Sequence, residues 1–70
     1  MSSAAEDREA ALRRLPPAYA AGLRLRDAGF SPEEIADALG MEPESVGPLL
    51  AVAEGKLAAV LGGPGEATGR

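Results

Sequence analysis

The chain has no cysteine, no histidine and no tryptophan, with one tyrosine, one phenylalanine and one lysine. Without cysteine there is no disulfide, no thiolate metal site and no cysteine nucleophile. Without histidine the commonest general base and the commonest metal ligand are both missing. No glycine loop joins a strand to a helix, and no nucleophile stands with a matching base. An enzyme is therefore not expected. No loop supplies the convergent carboxylates that a hard cation needs, so no metal or other cofactor is expected either. Tyr19 and Phe30 are too few to make a stacking platform for single strands. They are expected to fill the core or its edge. No apolar run approaches the roughly 20 residues of a membrane span. The first fourteen residues are charged and lack the apolar centre of a signal peptide. The expectation is a cytoplasmic protein with no membrane partner and no evident small-molecule ligand.

What is present is aliphatic and acidic. The 70 residues are 46% hydrophobic and carry a net charge of -4. That length allows one small domain and no second core. Leu, Ile, Val and many alanines must build the interior. Stability is expected to be marginal without a partner.

Local signals divide the chain into four helices and a tail. Ser3 and Glu6 have capping-box spacing, which predicts a helix over residues 4–14. Its acids come early (Glu6, Asp7, Glu9) and its bases late (Arg13, Arg14), as the helix dipole favours. Leu15-Pro16-Pro17 stops it. Pro17 then opens a second helix that runs to Asp27 or Ala28 and ends at Gly29. Ser31-Pro32-Glu33-Glu34 is the clearest local signal: Ser31 caps, Pro32 takes the first helical position, and Glu34 completes the box. This short helix ends at Leu39 with Gly40 beyond it. A fourth helix begins near Pro43 and continues to about Leu61. Its residues Val46, Leu50, Ala53 and Leu57 form one apolar stripe. Residues 62–70, with three glycines in their first four positions, are expected to be a flexible tail. No repeat and no strand pattern occurs. The prediction is an all-α, four-helix domain over residues 1–61.

Two turns of helix, a glycine turn and a new helix start make a helix-turn-helix over about 32–61. Ala36 allows the two helices to cross closely. Leu15-Pro16-Pro17, Gly29-Phe30-Ser31, Glu34-Ile35-Ala36, Leu39-Gly40-Met41 and Val46 together resemble region 4 of bacterial sigma factors. The pattern is shared more loosely with the DNA-binding domains of LuxR-type response regulators. The match covers residues 11–61. The excess of Arg over Lys, the absence of Asn and the abundance of Ala, Gly and Pro also suit a GC-rich bacterial genome. In the family, the helix after the turn lies in the major groove of promoter DNA. Region 4 also contacts RNA polymerase and is seized by anti-sigma factors. Nothing in 70 residues supplies the region 2 that opens DNA, so a complete sigma factor is not expected.

The charges argue for a changed partner. Residues 1–30 carry five arginines against four acids, a balance of +1. Residues 31–61 carry Lys56 alone against Glu33, Glu34, Asp37, Glu42, Glu44 and Glu54, a balance of -5. Affinity for duplex DNA comes largely from cations that displace counterions at phosphates. Base reading needs Arg, Lys, Asn or Gln aimed at base edges. The corresponding helix offers Gly47, Pro48, Leu49, Val52 and Glu54 instead. Pro48 also lacks the N–H for the Glu44 carbonyl. Either the helix kinks there, or residues 43–46 form a separate turn and the helix proper starts at Pro48.

With Val46, Leu50, Ala53 and Leu57 facing the core, Pro48, Leu49, Val52 and Lys56 are expected to form an outward protein-contact face. A relaxed, neutral surface is the plainer alternative. Arg13, Arg14, Arg24 and Arg26 form a basic strip. They are either solvated, or paired with Glu6, Glu9 and Asp27, or nucleic-acid backbone contacts that position without reading sequence. The functional expectation is a transcription-related regulatory or adaptor module acting through protein contacts. RNA polymerase, a sigma factor, an anti-sigma factor or a second copy would be the partner. A sequence-specific DNA-binding regulator is the alternative.

Overall fold

The computed structural model describes the backbone of residues 4–68 and the side chains of residues 6–62. Four helices follow in order: α1 (Ala4–Leu12), α2 (Pro17–Asp27), α3 (Pro32–Leu39) and α4 (Pro43–Thr68). No strand occurs among the described residues, and the fold class is all-α as the sequence predicts.

The helix ends follow from local chemistry. α1 stops two residues short of Arg14. Its end tightens, with the Arg14 N–H donating to the Ala11 carbonyl at 3.0 Å and Leu15 to Leu12 at 3.1 Å. Such a narrowed last turn uses carbonyls that α-helical bonding leaves open. The predicted Ser3 cap lies outside the described residues. Pro17 opens α2. At its end Gly29 takes φ 95. The Gly29 N–H donates to Arg26 and the Phe30 N–H to Leu25, at 3.0 and 3.1 Å. This pair of bonds is the Schellman termination, and glycine reaches its left-handed angle without strain. Both halves of the Ser31 capping box are formed. The Glu34 N–H donates to Ser31 Oγ at 3.2 Å, and the Ser31 N–H donates to Glu34 Oε1 at 2.8 Å. Gly40, at φ 70, ends α3, and the Met41 N–H reaches back to Ala36 at 2.9 Å. Residues 40–42 then join α3 to α4.

α4 starts at Pro43 as expected and passes through Pro48 as a single helix, so of the two alternatives at Pro48 the separate turn over residues 43–46 does not form. Pro48 leaves the Glu44 carbonyl without its helical donor, but Glu44 is exposed and solvent can take that role. α4 departs from expectation in two respects. First, it does not end near Leu61. Where glycines predict a tail from residue 62, the backbone stays helical to Thr68. Glycine permits both courses. Residues 69 and 70 lie outside the described residues. Second, Pro43–Gly62 is long and apolar enough to cross a membrane by length and composition, with mean hydropathy 1.3. It is not an unbroken apolar run, because Glu44, Glu54 and Lys56 interrupt the segment. Those same charges make it a poor span, since each is costly at a bilayer centre.

The buried residues form two clusters. Ala11, Leu12 and Leu15 meet Ala20 and Leu23 of α2 and Ala53 and Leu57 of α4. Ile35 and Ala36 of α3 meet Val46 of α4. Leu50 is half-buried and packs against both. The predicted stripe Val46, Leu50, Ala53 and Leu57 therefore does face the interior. Tyr19 sits at the edge of the first cluster. Phe30 does not fill the core: it is 44% exposed, just beyond the Gly29 turn.

One close approach sets the seam between α2 and α4. Gly22 is buried, and a Cβ there would stand 3.2 Å from a Leu49 methyl and 3.3 Å from a Leu50 methyl. Glycine in a helix interior costs about 1 kcal/mol relative to alanine. Here its lack of a side chain lets α4 lie close on α2.

Two substitutions test this architecture. Pro48→Ala restores an N–H inside α4 and is expected to stabilise the domain by about 1–3 kcal/mol, raising Tm by at least about 4 °C. A lower Tm would place Pro48 at a helix start instead. Gly22→Leu forces a branched side chain into the seam. The expected loss in chemical denaturation is about 1–3 kcal/mol.

Candidate functional site

The solvent side of α4 is made of small and apolar residues. Gly47, Pro48, Ala51, Val52, Gly55, Ala58 and Ala59 are all exposed. Their spacing at three and four residues places them along one side of the helix, opposite Val46, Ala53 and Leu57. Val52 is the bulkiest and is 47% exposed. Near its C-terminal end Leu61 is 48% exposed. Glycine and alanine keep the surface flat and the backbone close to it, so a second helix can approach near the lower limit of about 8 Å between axes.

Charged groups stand at the margins of this side. Glu54 forms an ion pair with Arg26 of α2. Lys56 holds its ammonium 5.6 Å from the centre of the Tyr19 ring, within range of a cation–π attraction. Glu44 lies at the N-terminal end.

The four residues expected to point outward from α4 differ in exposure. Pro48, Val52 and Lys56 are exposed. Leu49 is not part of the open face. It is half-buried against α2, in the space that Gly22 leaves. Leu49 lies at the edge of the buried stripe, and the missing Cβ of Gly22 leaves its methyl room there. The face extends instead along Ala51, Gly55, Ala58 and Ala59, which carry no signal of their own as single residues. Their common spacing is the signal that could have found them.

The basic strip is largely engaged. Arg24 pairs with Glu9 at 2.5 Å. Arg26 pairs with Glu54, and with Asp27 at 3.4 Å. Arg8 pairs with Asp27. Arg13 and Arg14 are exposed just beyond the end of α1 and make no ion pair among the described residues. The pairs Arg24–Glu9 and Arg26–Asp27 are among those the sequence suggests. Arg26–Glu54 joins residues 28 positions apart and is not legible without the fold. The hydrogen bond from Arg24, with its positive charge, holds the Glu9 carboxyl below its ordinary value of 4.5. The Glu54 carboxylate holds Arg26 above its ordinary value.

A second feature lies at the start of α4. Glu33, Glu34, Ala36 and Asp37 of α3, with Met41 and Pro43, line an open concavity of about 430 Å³. Among the described residues no group of three or more acidic side chains is placed to hold a metal ion. Comparisons with protein families, with curated proteins and with solved structures find no match for this chain.

The Glu9–Arg24 pair gives the fold an acid-side dependence. The folded-state pKa of Glu9 is depressed, so its contribution is present above the ordinary value and lost as pH falls through the lower folded value. Both groups are exposed, so the effect is small. Glu9→Gln is expected to lower Tm slightly at neutral pH, with the difference from the parent shrinking in thermal melts as the pH falls through the lowered Glu9 value. A difference that persists in acid would mean that the carboxylate charge is not what the pair contributes.

Proposed function

We propose that this protein is a cytoplasmic, transcription-related adaptor built on a sigma region 4-like helix-turn-helix, and that it acts through protein contacts. In this reading α3, the turn at residues 40–42 and α4 are the helix-turn-helix. Its partner is RNA polymerase, a sigma or anti-sigma factor, or a second copy. One observation carries the reading. The side of α4 that would face a groove is uncharged and apolar from Gly47 to Ala59. A groove-reading helix needs cations for phosphate and polar groups for base edges. The nearby arginines do not repair this, because Arg24 and Arg26 are already paired with carboxylates. No catalytic role and no cofactor belong to the reading.

The alternative is a sequence-specific DNA-binding regulator. It is favoured by Arg13 and Arg14, the two arginines of the strip that make no ion pair among the described residues. Two cations at the end of α1 can position a phosphate backbone but cannot read sequence.

Fluorescence anisotropy separates the two. On random and promoter-like duplexes at physiological salt, the adaptor reading expects no binding tighter than about 100 μM, the weak end of non-specific association. Affinity near micromolar that weakens steeply with added salt would establish the DNA reading instead. In parallel, Val52→Asp changes an exposed position and should leave the helical circular dichroism intact. It is expected to abolish capture of transcription-machinery proteins from bacterial lysate. Unchanged capture would remove α4 as the contact face.

A further inference from the structure

We infer that the apolar side of α4, with the acidic rim at its N-terminal end, receives a cationic amphipathic helix from a protein partner. This rests on the protein-contact reading and specifies its chemistry. Two features meet end to end. The apolar strip is Gly47, Pro48, Ala51, Val52, Gly55 and Ala59, all exposed. The rim is Glu33, Glu34 and Asp37 around the concavity at Pro43, flanked by the exposed Glu42 and Glu44. Among the described residues none of these five carboxylates takes part in an ion pair, Glu34 serving also as acceptor for the Ser31 N–H, whereas Arg8, Arg24 and Arg26 are engaged with Asp27, Glu9 and Glu54. Glu44 falls on the same helical line as Ala51 and Gly55, at intervals of seven and four residues, so the charge sits at the head of the apolar strip.

Charge decides among the candidate occupants. Phosphate of duplex DNA and anionic lipid headgroups carry the sign of the rim and are repelled. A second copy laid along α4 would bring its own acidic half, with Lys56 as its single cation and a balance of -5 over residues 31–61. An acidic or neutral helix gains nothing from the rim. A helix with an apolar stripe and basic residues clustered at one end satisfies both features at once. The distance from Glu44 to Ala59 sets its length at about four turns, or roughly 23 Å of helix. Opposite charge at the rim also steers the encounter, which makes association sensitive to salt.

The test uses the full 70-residue chain, immobilised, and a displayed library of helical peptides. Each peptide has a fixed alanine–leucine stripe and flanking positions drawn from Lys, Glu and Ala. The expected result is enrichment of peptides with lysines clustered at one end. Their affinity should fall about fivefold in E42Q/E44Q, as for lost exposed ion pairs. It should be lost in V52D, with circular dichroism unchanged in both variants. Enrichment of neutral or acidic flanks, or equal affinity for E42Q/E44Q, overturns the inference. If such peptides still fail to bind V52D, the protein-contact reading stands while this partner class falls. Failure to enrich any helix also overturns the inference, and micromolar, salt-sensitive binding to duplex DNA would then overturn the protein-contact reading as well. A dimer in sedimentation equilibrium that V52D dissociates would identify a second copy as the occupant and reject the cationic helix.

Discussion

Both cores of this fold close on one stripe of α4. Val46 seats against Ile35 and Ala36 of α3, while Ala53 and Leu57 seat against α1 and α2. Leu50 lies between and belongs to each. α4 also packs on each of the three other helices. In so small a chain no second hydrophobic layer can substitute for that stripe. The helix must therefore stay long and straight enough to span both clusters, and this explains why Pro48 is carried inside it. The chain cannot break at Pro48 without separating Val46 from Leu50 and Ala53. The loss of one backbone hydrogen bond is the smaller penalty.

The seam between α2 and α4 shows how local and distant information divide. The Ser31 capping box and the left-handed Gly29 and Gly40 turns were legible because each is complete within six residues. The apolar stripe of α4 was legible because its spacing is a property of one helix. Leu49 stands at the border of the stripe, where spacing alone leaves both sides open, and its contact with Gly22, 27 positions earlier, puts it on the inner side. Arg26–Glu54 was invisible because its partners also lie far apart in the sequence. The extent of α4 past Leu61 was misread because Gly and Pro lower helical propensity without forbidding a helix. Of the candidate site, Pro48, Val52 and Lys56 were found as outward residues, and Leu49 was not.

The charge distribution ties the fold to its proposed use. Arginines on α1 and α2 are largely consumed in holding those helices to each other and to α4. Carboxylates on α3 and at the start of α4 are exposed, and of these Glu34 alone also closes the Ser31 capping box. The first two helices thus present a nearly neutral, cross-linked surface. The second pair presents an acidic end that runs into an apolar one. Such a gradient of polarity along one helix gives a partner both an orientation and a register, since only one direction of approach matches charge with charge and apolar with apolar.

Tyr19 has a consequence of another kind. With no tryptophan in the chain, it is the one strong ultraviolet chromophore. It stands at the junction of α2 and α4 beneath the Lys56 ammonium. Its emission is therefore an intrinsic, label-free gauge of that junction. Any event that draws Lys56 away, or lifts α4 from α2, changes the light from a single known position in the molecule.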